Sequence, residues 1–494
     1  MAAEPSPFRP ADRGAGRALG SRQLAALLPG PAGARPAYRH LAQAISALIL
    51  DGRIALRMRL PAERELAAAL RVSRPTVTAA YDLLRESGYA HSRRGSGTWT
   101  ALPEGAAPSG VTRALPPLDT TIDLARAALG LPDGVLAGAL ARIAPRLAEH
   151  EHTPGYHPYG LPELRAAVAE RFTRRGLATV PEQILVTAGA QHALTLVLGL
   201  LAEPGDRVLV EHPSYPNALE AIRRARLRPV AVPVADDGWD VGIIESTLHQ
   251  VVPQLAYLIP DFHNPTGSLM PPGQRARVLR AAQRSGTWLV VDETMADLAL
   301  DVPAPAHFAS HGGPGGAGQV ITIGSMSKSC WGGLRIGWLR APAQLVTELA
   351  GQRIANDLGG SVVDQLLALD LLDRTAELLP PRLDRLRERR TVLAAALSEH
   401  LPRWTWQLPP GGLSLWVDLG EPVAAALAER VMAYGVRIEG GGCFATTPGV
   451  FEQRLRIPYT TPPDVLREAV QRMAAALAEG LPLGPAGRRP HWVA

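Results

Sequence analysis

The sequence predicts a two-part α/β protein: a small N-terminal winged helix-turn-helix, then a larger body built on a mostly parallel sheet. Three observations predict it. Between residues 36 and 100, three short helical patterns precede an alternating stretch with a Gly-rich turn. Residues 101 to 120 then hold Pro103, Pro108, Pro116 and Pro117 with little periodicity. Beyond them, short apolar runs alternate with helical segments, the pattern of strands buried on both faces.

Taken in order, residues 1 to 35 mix Arg, Pro, Gly and Ala without a continuous apolar core, so they predict a disordered arm and not a signal peptide. From Tyr38 to Ile49 the apolar positions Leu41, Ile45, Leu48 and Ile49 have helical spacing. A second helix starts in Leu60-Pro61-Ala62-Glu63-Arg64-Glu65, with proline and acids at its first turn, and ends near Arg71-Val72. Ser73 can cap a third helix from Arg74 to Ser87, whose stripe is Val77, Ala80, Tyr81 and Leu84, with Gly88 at its C-cap. Tyr89 to Thr100 alternates around Arg93-Arg94-Gly95-Ser96-Gly97, a hairpin. Residues 101 to 120 are an extended, semi-rigid linker. The body, residues 121 to 480, has strands predicted at Gln183–Val186, Arg207–Val210, Leu255–Ile259, Trp288–Val291 and Val320–Ile323, and residues 481 to 494 form a tail.

A length of 494 residues fits two to four cores, and 46% apolar with 20% charged residues fits folded domains. Cys330 and Cys443 have no ligand spacing, so neither a disulfide framework nor a metal site is expected, and a reducing cytoplasm fits. No run of about 18 apolar residues predicts a membrane span. Residues 1 to 100 carry 15 Arg against 7 Asp and Glu, a net of +8, although the whole chain is only +5. A basic front end predicts a polyanionic partner, most often nucleic acid, while charge alone leaves a merely solvated basic face equally open.

A helix-turn-helix presents the start of its second helix to the major groove. Here that start is Ser73-Arg74-Pro75-Thr76-Val77-Thr78. Arg74 can contact guanine, and the hydroxyls of Ser73, Thr76 and Thr78 can contact bases or phosphates. Arg64 can reach backbone phosphate, and the wing tip Arg93, Arg94 and Gly95 can enter a minor groove. The run Leu60 to Ala67, then Val72-Ser73-Arg74, Thr76-Val77, Ala80-Tyr81, Leu84, Gly88 and Gly95-Ser96-Gly97, resembles the winged helix of the GntR family of bacterial regulators. The resemblance implies operator DNA as partner.

Lys328 is the single lysine in the chain; the other 50 of its 51 Lys and Arg residues are arginines. Arginine cannot lose its proton near neutrality, so only Lys328 can form a Schiff base with an aldehyde. It lies in Ser325-Met326-Ser327-Lys328, after an apolar strand and before Gly332-Gly333-Leu334-Arg335. Thr187-Ala188-Gly189-Ala190-Gln191 follows a strand and opens a helix, so the backbone of Gly189, Ala190 and Gln191 can cradle a phosphate. Ser325, Ser327 and Arg335 can add phosphate contacts. Asp292 ends another strand, where a carboxylate can pair with a pyridinium nitrogen. Asn264, in Asn264-Pro265-Thr266-Gly267, can bond a phenolic oxygen, and Tyr215 can stack on a ring.

These segments occur in the order of fold type I aminotransferases, and the body from about residue 121 to 480 resembles that fold. The resemblance implies pyridoxal 5'-phosphate (PLP) as cofactor, bound to Lys328. It implies that Tyr156 reaches the phosphate from a partner subunit and that Arg456, in Arg454-Leu455-Arg456-Ile457-Pro458-Tyr459, binds the carboxylate of an effector. A GntR winged helix, a linker and this body together resemble the MocR subfamily of transcriptional regulators. That implies a domain-swapped homodimer sensing PLP or a small amine or amino acid through an aldimine at Lys328. The alternative is an active class I/II aminotransferase with an appended DNA-binding domain, and a half-transamination lies between the two. One departure bears on turnover: the family places a tyrosine two or three residues after the aspartate, and this chain has Asp292-Glu293-Thr294-Met295.

Overall fold

A computed structural model describes residues 18–28, 37–50, 53–93, 97–101, 121–313 and 318–479, the side chain of Arg93 excepted. The chain divides into two compact units, 1–108 and 109–494. Most of the expected arm (1–17 and 29–35), residues 102–120 of the linker, the tail 481–494, and Arg94 and Gly95 of the wing lie outside the described residues.

In the first unit, α1 (Ser21–Leu27), α2 (Ala37–Leu50), α3 (Glu63–Leu70) and α4 (Arg74–Glu86) precede the antiparallel hairpin β1 (Ala90–Arg93) and β2 (Gly97–Thr100). The stripes predicted from spacing form its core: Ile45, Ile49, Leu66, Val77, Ala80, Tyr81 and Leu84 are buried together. Helix α4 starts where expected, because Ser73 Oγ accepts the amide of Thr76. Residues 18–28 depart from the disordered arm. Leu24 is fully buried and Leu19 nearly so, and the Leu19 amide bonds the Arg59 carbonyl at 2.9 Å. Burying one such leucine contributes about 1.5–3 kcal/mol, enough to order a short helix that composition alone marks as loose.

The second unit is organised by an eight-stranded sheet: β3 (Ile184–Thr187), β4 (Arg207–His212), β5 (Arg228–Ala235), β6 (Gly238–Trp239), β7 (Leu255–Leu258), β8 (Trp288–Asp292), β9 (Val320–Ser325) and β10 (Gly337–Arg340). Their spatial order is β3-β10-β9-β8-β7-β4-β5-β6. From β9 to β5 all neighbours are parallel, whereas β10 runs antiparallel to both β9 and β3. Alternate residues of one strand enter opposite cores, as Leu289 and Val291 do on one face and Val290 on the other. Both faces are covered by helices, so the apolar runs are continuous rather than alternating. A smaller antiparallel sheet, β11 (Thr405–Trp406), β12 (Ser414–Asp418), β13 (Glu439–Gly440) and β14 (Arg454–Pro458), has the order β11-β12-β14-β13 and its own core.

Candidate functional site

The carboxyl ends of the parallel strands converge on one edge of the large sheet. Asp292, last in β8, pairs in register with Ile323 of β9; Ser325, last in β9, pairs with Gly337, first in β10; and Gly337 pairs with Thr187, last in β3. Ligands of open α/β sheets bind at such edges. The approach of these strands requires a glycine at 337, since a Cβ there would lie 2.7 Å from both Gly189 C and Gly324 O.

Lys328 sits in a short helix, Met326–Ser329, just beyond β9. It is half-buried, and its Nζ donates to the Ala127 carbonyl at 2.8 Å. Loss of water and the positive charge of Arg456 push its pKa down from 10.5 to about 7, against the attraction of Asp292. Asp292 is buried; its Oδ2 accepts the Tyr257 hydroxyl at 2.7 Å and its Oδ1 the Thr294 amide at 3.0 Å. Burial raises its pKa, those bonds and Lys328 opposing the shift. Asn264 Oδ1 accepts from Arg456 Nη1 at 3.2 Å. Arg456 is fully buried, donates to the Ala125 carbonyl and lies over the Phe444 ring at 5.0 Å, yet its Nε meets no acceptor. Tyr215 accepts from Asn217 at 2.8 Å, and burial pushes its pKa up to about 12, with Asp292, Arg456 and Arg335 acting on it. One electrostatic neighbourhood therefore holds Lys328, Asp292, Arg335, Arg456 and Tyr215, with Asn264 tied to it.

Gly189 has φ +84 and precedes the helix Ala190–Leu201, whose first amides lack intrahelical acceptors. A Cβ on Gly189 would stand 2.7 Å from Arg335 Nη2, so the exposed guanidinium flanks this turn, donating to the Ala188 carbonyl at 3.0 Å. The Gln191 side chain is held toward the Asn217 carbonyl, to which its Nε2 donates at 3.0 Å. Ser325 Oγ is likewise engaged as a helix cap, accepting the Ser327 amide at 3.2 Å and lying 3.1 Å from the Ile336 carbonyl. Ser327 is half-buried beside it. Tyr156 is 68% exposed and hydrogen-bonds none of these groups.

Tyr257 escapes a reading of motifs. The signal available was a phenol in a central buried strand, whose hydroxyl must find a partner. Its bond to Asp292 gives a first prediction: in the ligand-free protein, Tyr257→Phe costs about 1.5–3 kcal/mol of unfolding free energy, measured by denaturant titration. No loss would mean the bond contributes nothing. Thr294 caps Asp292 with its amide, while Glu293 turns away to His307 at 2.5 Å.

In the first unit, Arg64, Ser73 and Arg74 are exposed along the start of α4 and the facing end of α3. Ser73 and Thr76 hydroxyls bond each other at 2.8 Å. The Thr78 hydroxyl is directed inward: it bonds Glu63 at 2.8 Å and the Arg74 carbonyl at 3.1 Å. Arg74 Nε lies 3.7 Å from the same Glu63 carboxylate, an exposed pair easily given up. Among the described residues no cluster of side chains could hold a metal, and no helix is long and apolar enough to cross a membrane.

Comparison with known proteins places each unit. The family of aminotransferases of class I and II matches residues 129–473, and the gntR family of bacterial regulatory proteins matches residues 37–99. An uncharacterized HTH-type transcriptional regulator of Bacillus subtilis, YisV, is 30% identical over 77% of this chain and 84% of its own length. The probable rhizopine catabolism regulatory protein MocR of Rhizobium meliloti is 33% identical over 75% of this chain and 78% of its own. The α-aminoadipate aminotransferase LysN of Thermus thermophilus, solved with N-(5'-phosphopyridoxyl)-L-leucine, superposes with a TM-score of 0.68 at 30% identity, covering 73% of this chain and 93% of that one.

Proposed function

The chain belongs to the MocR-type branch of the gntR regulators, a winged helix joined to an aminotransferase class I and II domain, and on that premise we propose that it is a transcription regulator whose operator binding responds to PLP, or to an amine that reacts with it, at Lys328. The observation that carries this is the state of Lys328. The sole amine-bearing side chain of the sequence sits where burial brings its pKa to about 7, beside Asp292, Arg335 and Arg456.

The residues present fit PLP. Lys328 would hold it covalently, Asp292 would face its ring nitrogen, Asn264 its phenolic oxygen and Tyr215 its ring face. At the turn Gly189 to Gln191, where the missing Cβ lets the Arg335 guanidinium pack close, the helix amides, Ser327 and Arg335 would bind its phosphate. When bound, PLP supplies an aldehyde that captures primary amines and a ring that withdraws electrons. The chain does the rest. Lys328 provides a neutral amine near pH 7, because Arg456 and desolvation disfavour its ammonium form. Arg456 offers an unpaired Nε to a carboxylate while its other nitrogens anchor Asn264 and the Ala125 carbonyl. Tyr156, exposed in a single chain, is available to the phosphate of a second copy in a homodimer.

A regulator requires that the ligand bind two states unequally. Titrating the full-length protein with PLP and candidate amines, while recording absorbance and operator binding together, tests this. Operator affinity should change along with the absorbance. A change in absorbance at constant affinity would leave the second reading, an aminotransferase, which the 2-aminoadipate transaminase of Thermus thermophilus, 32% identical over 70% of this chain and 86% of its own, supports. That reading requires multiple turnovers to a keto acid.

On the DNA side we propose Arg64, Ser73, Arg74, Thr76 and the wing residues Arg93, Arg94 and Gly95 as contacts. Arg74→Ala should weaken operator binding by about 1–3 kcal/mol and relax sequence preference, read by fluorescence anisotropy at fixed salt. Thr78→Val should cost less, since its hydroxyl already serves Glu63. Equal affinity of Arg74→Ala and wild type would remove Arg74 from the interface.

A further inference from the structure

The long helix Thr375–His400 and its N-cap residue Arg374 carry arginines of two kinds. Arg374, Arg387 and Arg390 are matched to carboxylates, namely Glu377, Asp384 and Asp301, at 2.6 Å each. Arg382, Arg385 and Arg389 form no ion pair among the described residues, and their spacing of three and four residues puts them on one face. That face lines a cavity of about 480 Å³ whose opposite wall is Leu129 to Asp133, with Asp133 its one carboxylate.

Arg382 is the most informative of the three. It is 95% buried, with 5% of its surface exposed; its Nη2 donates to the Gly130 carbonyl at 2.9 Å and its Nη1 is buried without an acceptor. Arg389 is half-buried and reaches the Thr460 carbonyl at 2.5 Å, while Arg385 is exposed. Burial lowers the pKa of Arg382, against Cys330 and with smaller help from Arg385 and Arg389; burial and then Arg385 lower that of Arg389, Glu388 opposing. Three guanidinium groups that repel one another around a space of ligand size, against a single carboxylate, leave a surplus of positive charge in the cavity.

We propose that this cavity binds a small dianion of the phosphate class. Guanidinium forks suit such oxygens, and one dianion would satisfy the donors that the chain leaves unmatched. The residues that line the cavity are different from those grouped around Lys328, and the proposal does not depend on PLP binding.

Equilibrium dialysis of the full-length chain against radiolabelled inorganic phosphate, at constant ionic strength, tests it. Wild type should bind one more phosphate per chain than the double variant Arg385→Gln/Arg389→Gln, and Arg385→Gln alone, on the exposed side of the helix, should weaken that site about tenfold. Asp133→Asn should tighten it, an effect that misfolding cannot mimic. The same phosphate stoichiometry in wild type and double variant, or no tightening by Asp133→Asn, would overturn the proposal.

Discussion

Lys328→Ala should abolish borohydride-trappable PLP completely while leaving the winged helix folded. The effect is expected to be all-or-none, because the remaining cationic side chains are guanidinium groups that stay protonated and cannot form the bond. Mass spectrometry of the reduced protein reads it directly, and circular dichroism together with the mobility of non-specific DNA complexes checks the fold. Trapped PLP in the variant would show that some other amine does this work. The pH dependence follows from the same site. A lysine with the ordinary value of 10.5 would attach PLP about tenfold faster per pH unit almost to pH 10. Lys328, lowered to about 7, is protonated and unreactive below that value and mostly neutral above it. Attachment to ligand-free protein should therefore be half-maximal near pH 7 and level above about pH 8. A rate still climbing at pH 9 would mean that water reaches Nζ freely.

Arg456→Ala should weaken amino-acid effectors by about 2–5 kcal/mol, some thirtyfold or more, and leave amines without a carboxylate nearly unaffected. Arg456 is fully buried; among the described residues no carboxylate hydrogen-bonds it, although Glu439 across the strand pair and Asp123 act on it from a distance, and its Nε has no acceptor. Burying a charge in that condition is costly, and a ligand carboxylate is the partner that would compensate it. Because Arg456 also anchors Asn264 and Ala125, the comparison between the two ligand types is the informative quantity: a loss common to both would indicate collapse of the site instead. Isothermal titration of the PLP-loaded variant provides the measurement.

Much of this arrangement was legible in the residues because the physics is local. Parallel strands buried on both faces leave continuous apolar runs, so β4, β7, β8 and β9 could be placed within a residue or two of where they lie. Ser73 announces α4 by the hydroxyl that caps it. Strand β10 was not legible, since it opens within a Gly-rich run, and its role as the antiparallel strand joining β3 to β9 depends on partners distant in sequence. The helix at Ser21–Leu27 was hidden by a composition rich in Arg, Pro and Gly, although Leu24 finds a buried place. Among the candidate site residues, Gly189, Asp292, Asn264 and Lys328 stand at or just beyond strand ends or in turns, a placement that sequence can indicate. The bonds that set their chemistry, Tyr257 to Asp292 and Ala127 to Lys328, connect segments 35 and 201 residues apart and could come only from the folded chain. The inward turn of Thr78 toward Glu63 belongs to the same class.

The central claim is that the chemistry of one amine governs DNA binding. The most direct measurement is operator affinity of wild type and Lys328→Ala side by side, with and without PLP, at fixed salt. PLP should shift the affinity of wild type and leave the variant unmoved. Equal shifts in both proteins, or no shift in wild type, would contradict the account.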